Sequence, residues 1–198
     1  MSTEKEMVAL SHYLAEPPRN GFSPVESVDW TGMRLLGLGC LTPDGFFPKQ
    51  LKNAPAGIPL SHPAVLQDGD LLMGRANTRD LVGLVGRYRD VGSPCIYPDL
   101  MMRLRTAANC LPDFLEILLR SPSVRLLIKR CAQGTSESMV KISTEMVQSL
   151  RVPLLDLEEQ RRVIRFLDVV TEAEKAAEAE IVKLRAMRSG MINDLLGS

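Results

Sequence analysis

Three groups of cations and small polar residues carry most of the binding chemistry in this sequence. The first, Arg75-Ala-Asn77-Thr78-Arg79, directly follows the apolar run Leu71-Leu-Met-Gly74. A guanidinium donates two parallel hydrogen bonds to a guanine edge, an asparagine amide matches an adenine edge, and both grip phosphate. The second group joins Arg87-Tyr-Arg89 to Arg103 and Arg105, on or between neighbouring predicted strands. The third is the Lys129-Arg130 end of a predicted helix, with Gln133-Gly-Thr135-Ser136 and Lys141 beyond it. Small Gly, Thr and Ser residues let a backbone approach phosphate closely. Each group has an ordinary alternative as a solvated face. Arg103 and Arg105 fit the wet side of a strand, and Lys129 and Arg130 fit the complement of a helix C-terminal dipole.

Reacting groups are harder to find. No Gly-Lys-Ser/Thr is present, so there is no P-loop. Gly37-x-Gly39 lacks the third glycine of a dinucleotide fingerprint and reads as a strand-end turn. No Gly-x-Ser-x-Gly elbow occurs. Pro98-Asp99 is not followed by the Asp/Glu-x-Lys of a restriction-type nuclease centre, and no Asn/Asp-Pro-Pro-Tyr/Phe loop is there to hold a target amine. His12 and His62 are the two histidines, and no base–nucleophile pair is visible. Catalysis by this chain alone is not expected.

The elements that must position the three groups follow from patterning. At 198 residues with 45% hydrophobic content, the chain is long enough for one ordinary domain plus an extension. Its charges balance at 24 against 24, and residues 1–156 hold 17 of the basic and 16 of the acidic ones. Any contact with a polyanion must therefore come from a local patch. Cys40, Cys95, Cys110 and Cys131 form no CxxC, so reduced, partly buried thiols are expected rather than zinc. No basic-then-apolar leader opens the sequence and no run reaches a membrane span, so a cytoplasmic location without membrane contact is expected.

Dense Gly and Pro punctuation in the first hundred residues favours short strands and loops. Strands are expected at 34–38, 70–74, 81–88 and 100–105, the last as a half-buried strand in which Leu100, Met102 and Leu104 face inward. Helices are expected at 112–119, from the Ser121-Pro122 cap onward until Gly134-Thr-Ser ends the helix, and from Ser143 to near Leu150. Met139-Val-Lys-Ile142 and Ser149-Leu-Arg-Val152 read as short strands.

The last element starts at Asp156, which with Glu159 is spaced as a capping box. Val163, Leu167, Val170, Ala177, Ile181, Leu184, Met191 and Leu195 then step by four and three, with Glu174 and Arg188 filling the remaining seam positions. That is a coiled-coil period. A helix over residues 157–196 is about 60 Å long at 1.5 Å per residue, with Ser189-Gly190 a candidate kink. Such a seam needs a second helix, and no other long helix is expected in the chain. The alternative is a helix folded back on its own domain.

The order of features resembles the specificity subunit of Type I restriction–modification systems. Leu14-Ala-Glu-Pro-Pro-Arg-Asn-Gly21 and Leu41-Thr-Pro-Asp-Gly45 are similar to openings of its target recognition domains. Asp68-Gly-Asp-Leu-Leu-Met-Gly-Arg75-Ala-Asn77-Thr78 with Leu81-Val-Gly83 resembles the family's "GDLL…R.N…LVG" segment. Val152-Pro153-Leu-Leu-Asp-Leu-Glu-Glu-Gln160 resembles its "VPLPPLEEQ" junction, with Leu155 at the usual second proline, and Arg188-Ser-Gly-Met-Ile-Asn-Asp-Leu-Leu-Gly197 resembles a spacer end.

The resemblance implies an α+β chain: a mixed α/β target recognition domain over residues 1–156, then a long coiled-coil spacer helix over 157–198. Family members usually carry two of each, packed antiparallel, so a homodimer is expected to restore the arrangement. A pair centred between Ile181 and Leu184 sets Ala177 opposite Arg188, and Glu174 opposite Met191. The implied partners are double-stranded DNA, a methyltransferase subunit and, where one exists, a restriction subunit. S-adenosylmethionine and ATP would belong to those partners, with no cofactor bound by this chain. DNA contact is expected through Arg75, Asn77, Thr78, Arg79, Arg87, Arg89, Arg103, Arg105, Thr135, Ser136 and Lys141. The competing reading is a coiled-coil interaction module or inhibitor that reads no DNA, which the near-zero charge favours; a stand-alone nuclease is a distant third.

Overall fold

A computed structural model describes residues 5–136 and 139–197, with the side chains of Thr135 and Ser136 outside the description. The strands are short: β1 (Met7–Ala9), β2 (Arg19–Asn20), β3 (Arg34–Leu36), β4 (Leu41–Thr42), β5 (Gly45–Phe46), β6 (Leu51–Asn53), β7 (Leu71–Gly74), β8 (Ala76–Asn77), β9 (Val85–Arg87), β10 (Cys95–Ile96) and β11 (Met101–Leu104). Two helices follow, α1 (Pro112–Arg120) and α2 (Pro122–Cys131), then β12 (Gln133–Ser136), β13 (Met139–Lys141), α3 (Thr144–Ser149), β14 (Arg151–Pro153) and α4 (Leu157–Leu196). This is the α+β arrangement expected, with one long C-terminal helix.

The centre is a four-stranded sheet in the order β2-β11-β7-β9, with β11 antiparallel to both β2 and β7. Both of its faces are covered. Leu71, Met73, Met102 and Leu104 point into a core shared with Phe114, Leu115 and Ile128 of α1 and α2. Leu72 and Met101 point the other way, into a second core with Leu35 and Leu36 of β3, Ile96 and Tyr97. Fully burying a side chain such as Leu115 is worth roughly 2–3 kcal/mol. The sheet therefore divides the domain into a lobe next to the helices and a lobe beyond them, the latter built on the three-stranded sheet β10-β3-β6.

Three expectations change for this reason or for local ones. Strand β11 is buried along its whole length, not half-wet, because the second core covers its other face. The expected strand over 81–88 begins only at Val85. The Leu81 and Val82 N–H groups both donate to Thr78 O, closing a turn, and Gly83 takes a φ of 70°. Gln133–Ser136 is a strand paired with β13 rather than a helix-ending loop. Gly134 lies so close to it that a Cβ would sit 2.6 Å from Met139 O.

Helix α4 starts as its sequence dictates. Asp156 Oδ1 accepts from Glu159 N at 2.8 Å, and Glu159 Oε2 accepts from Asp156 N at 3.0 Å. It runs unbroken through Ser189-Gly190 and ends on Gly197 at a φ of 68°. Among the described residues no helix is long and apolar enough to cross a membrane.

Candidate nucleic-acid interface and partner helix

Arg75, Asn77, Thr78 and Lys141 come together where β8 meets β13. Asn77 lies opposite Val140, and Ala76 opposite Lys141. The backbone of Arg75 is locked on both sides, its N–H donating to Leu100 O and its carbonyl accepting from Ile142 N. Its side chain is far less committed. Nη1 reaches Asp99 O at 3.4 Å, and Nε is buried without a hydrogen-bond partner among the described residues. The Asn77 Oδ1 atom accepts from Thr78 N at 2.8 Å. Thr78 and Lys141 are exposed. Thr135 and Ser136 belong to β12 on the far side of β13, and their side chains lie outside the described residues.

The remaining arginines take other work. Arg79 Nη1 donates to Lys129 O at 2.9 Å and Ala132 O at 3.3 Å, closing the C-terminal end of α2. Nearby, Arg125 donates to Val82 O and Asp80 O, and Lys129 Nζ donates to Asp80 Oδ1 at 2.8 Å. That ammonium holds the Asp80 carboxyl below the usual carboxylate range. The turn at 78–83 is thus stapled to α2.

Arg87 and Arg103 face inward, against their expected place on the surface. Arg87 sits against Asp113 (2.8 Å) and Glu116 (3.5 Å) of α1. Arg103 is 6% exposed, paired with Asp70 at 3.2 Å, and donates to the Pro63 and Val65 carbonyls. It shares the face of β11 that the second core covers, so its charge is neutralised in place. Arg89 and Arg105 do stay exposed, beside Asp68 at 3.5 Å and Glu16 at 3.6 Å.

The base of α4 is bolted to the domain by groups that its apolar period does not reveal. Gln160 is fully buried. Its Oε1 accepts from Leu111 N at 2.8 Å, and its Nε2 donates to Asn109 O and Leu155 O, both at 2.9 Å. Tyr13 Oη donates to Pro153 O at 2.9 Å and accepts from Leu155 N at 2.7 Å, and burial pushes its pKa up. Val163 and Ile164 pack against the helical core. Val163, placed in the seam by its spacing, therefore serves the chain's own domain.

Beyond the base the seam is bare. Leu167 and Val170 are half-buried, while Glu174, Ala177, Ile181, Leu184, Arg188, Met191 and Leu195 are all exposed. Phe166 and Val169 are about two-thirds exposed and widen the stripe on one side. They precede Leu184 and Met187 by about five turns at 3.6 residues per turn, a repeat that a wider search of the period would have found.

No protein-family model matches the chain. It is 35% identical over 102 residues to the Type I restriction enzyme EcoKI specificity subunit of Escherichia coli (strain K12), a match covering 50% of this chain and 22% of that one. Half of this chain is thus similar in sequence to part of a Type I restriction specificity subunit. Its fold agrees. The HsdS subunit from Thermoanaerobacter tengcongensis covers 89% of it with a TM-score of 0.56 at 18% identity. A chain from a study of assembly and conformational transition in the type I R-M system covers 91%, at 0.60 and 21%. The Type I S subunit from M. genitalium covers 87%, at 0.53 and 12%. The chain spans 42%, 39% and 41% of the type I R-M, T. tengcongensis and M. genitalium chains respectively. What it shares with these three chains is its fold.

Proposed function

We propose that this chain is a sequence-specific DNA-recognition subunit of a Type I restriction–modification complex, working in the cytoplasm as a homodimeric half-subunit. It would direct a partner adenine methyltransferase, and a restriction subunit where present, to a bipartite site. S-adenosylmethionine and ATP would be bound by those partners, and this chain would contribute no catalytic group. The match to a specificity subunit carries the reading. The bare apolar stripe on α4 supports the dimer, since a helix with such a face needs a companion. Arg75, Asn77, Thr78 and Lys141 are the groups at the β8–β13 edge suited to base and phosphate contact.

Selection of duplexes from a random pool by the chain and its methyltransferase tests the proposal directly. An interrupted palindrome is expected, and Asn77→Ala should weaken binding to it by about 1–3 kcal/mol while leaving random duplex unaffected. Recovery of no preferred sequence would refute the reading.

A second reading has one observation in its favour. Arg87 and Arg103 are spent on internal ion pairs, which leaves two fewer cations free for phosphate than the sequence suggests. An interaction module or inhibitor that reads no DNA would show no salt-sensitive binding to random duplex, whereas phosphate contacts make binding fall steeply with salt.

A further inference from the structure

The far lobe displays a row of side chains that neither its cores nor the β8–β13 edge uses. Trp30 is 53% exposed and Phe47 56%, and Val25 and Val28 stand almost wholly in solvent. Each aromatic ring carries a cation on its face: the Arg34 guanidinium lies 4.4 Å from the Trp30 ring centre, and Lys49 Nζ lies 5.1 Å from that of Phe47. The stretch holding Val25, Val28 and Trp30 forms no regular element between β2 and β3 apart from a bridge at Ser27 to Asn53. It is nonetheless fastened along its length. Ser23 Oγ donates to Asp99 Oδ1 at 2.6 Å, Lys52 pairs with Glu26 at 2.5 Å, and Asn53 Nδ2 donates to Val28 O at 3.0 Å. Arg34 is held ready by Asn53 Oδ1 at 2.7 Å.

These fastenings also make the row continuous with the β8–β13 edge. Asp99, which takes Ser23 at one end, offers its carbonyl to Arg75 Nη1 at 3.4 Å. Arg75 is thus the corner at which one surface turns into the other. A purely apolar patch would fit a protein partner. Rings each topped by a cation and flanked by exposed valines fit a nucleic-acid groove better: the rings and valines meet sugars and the groove wall, and the cations meet phosphate.

We infer that segment 21–32 and the adjoining turn around Phe47–Lys49 form a duplex-contacting rim, with Trp30/Arg34 and Phe47/Lys49 as aromatic–cation grips beyond the Arg75 corner. The inference rests on the DNA-recognition reading and adds to it the surface that touches the duplex.

Trp30 is the single tryptophan of the chain, so it reports on its own site. The test titrates the full chain with fluorescein-labelled 30-base-pair random-sequence duplex at low salt, following tryptophan emission and label anisotropy together. Quenching of Trp30 that tracks the anisotropy is expected. Trp30→Ala and Phe47→Ala should each weaken binding about tenfold, as loss of a ring that holds its cation in place does, while Leu126→Ala on the exposed face of α2 should not. Normal binding with unchanged Trp30 emission, and full affinity in both variants, would overturn the rim and leave DNA recognition standing. An absence of any anisotropy change would overturn both. A Trp30 response to the methyltransferase without DNA, and none to duplex, would hand the surface to a protein partner and overturn the rim.

Discussion

The base of α4 and its outer arm share one apolar period but meet opposite surroundings. Residues 157–167 present Gln160, Val163 and Ile164 to the domain, and each finds a partner there. Residues 171–196 continue the same spacing into open solvent. The difference shows that a hydrophobic repeat marks a face, not its occupant. What distinguishes the two stretches is one polar residue: a buried glutamine whose amide satisfies three backbone groups at once fixes the base to one address. The arm's seam, which has only apolar side chains with Glu174 and Arg188 between them, suits a second helix of the same kind.

That comparison can be broken at either end. The largest effect is expected at the arm. Leu184→Lys places a charge in the middle of the stripe and should convert a dimer to a monomer by light scattering at tens of micromolar, with the domain's melting transition unmoved. A dimer of full strength would locate the interface elsewhere.

At the base the expected outcome is the reverse. Gln160→Leu strands the Leu111 N–H and the Asn109 and Leu155 carbonyls, at a cost of about 2–4 kcal/mol by denaturant unfolding, and should leave self-association intact. A neutral result would mean that Tyr13, Val163 and Ile164 hold the base without the glutamine.

The smallest signal is a chemical one. Burial pushes the Cys110 thiol up to about 12, so almost no thiolate is present at pH 8 and iodoacetamide should spare it in the native chain. Exposed Cys131 should label. Because Cys110 lies beside Asn109 and Leu111, its labelling in Gln160→Leu would report local opening of the base.

Sequence alone was informative where the cause is local. The Asp156–Glu159 capping box, Pro122 at the start of α2 and the Ser143 cap, which accepts from Met146 N, each depend on residues within one turn. It failed where the cause lies across the fold. Arg103 alternates with buried neighbours as a wet strand residue should, and only the second core, supplied by residues 33–66 and 95–101, turns its face inward. Arg87 meets Asp113 and Glu116 from a helix some thirty residues further along the chain, a pairing that no spacing rule gives. The short strand at Gln133–Ser136 exists because β13 is there to receive it. Of the proposed contact residues, Arg75 and Asn77 lie half-buried at a strand end on a sheet edge, a place set by the local turn rather than by distant packing. The Trp30 and Phe47 rim escaped notice because isolated aromatics in loops have no period to betray them.

The bolted base makes α4 a lever. From Thr171 to its end the arm is about 40 Å long at 1.5 Å per residue. A tilt of about 5° at Gln160 and Tyr13 would sweep the tip, about 54 Å from Gln160 at 1.5 Å per residue, through about 4.7 Å, more than the rise of one base pair. Angular stiffness at the five hydrogen bonds of Gln160 and Tyr13 thereby becomes positional accuracy far out along the rod, on the scale of a base-pair step for the function proposed above.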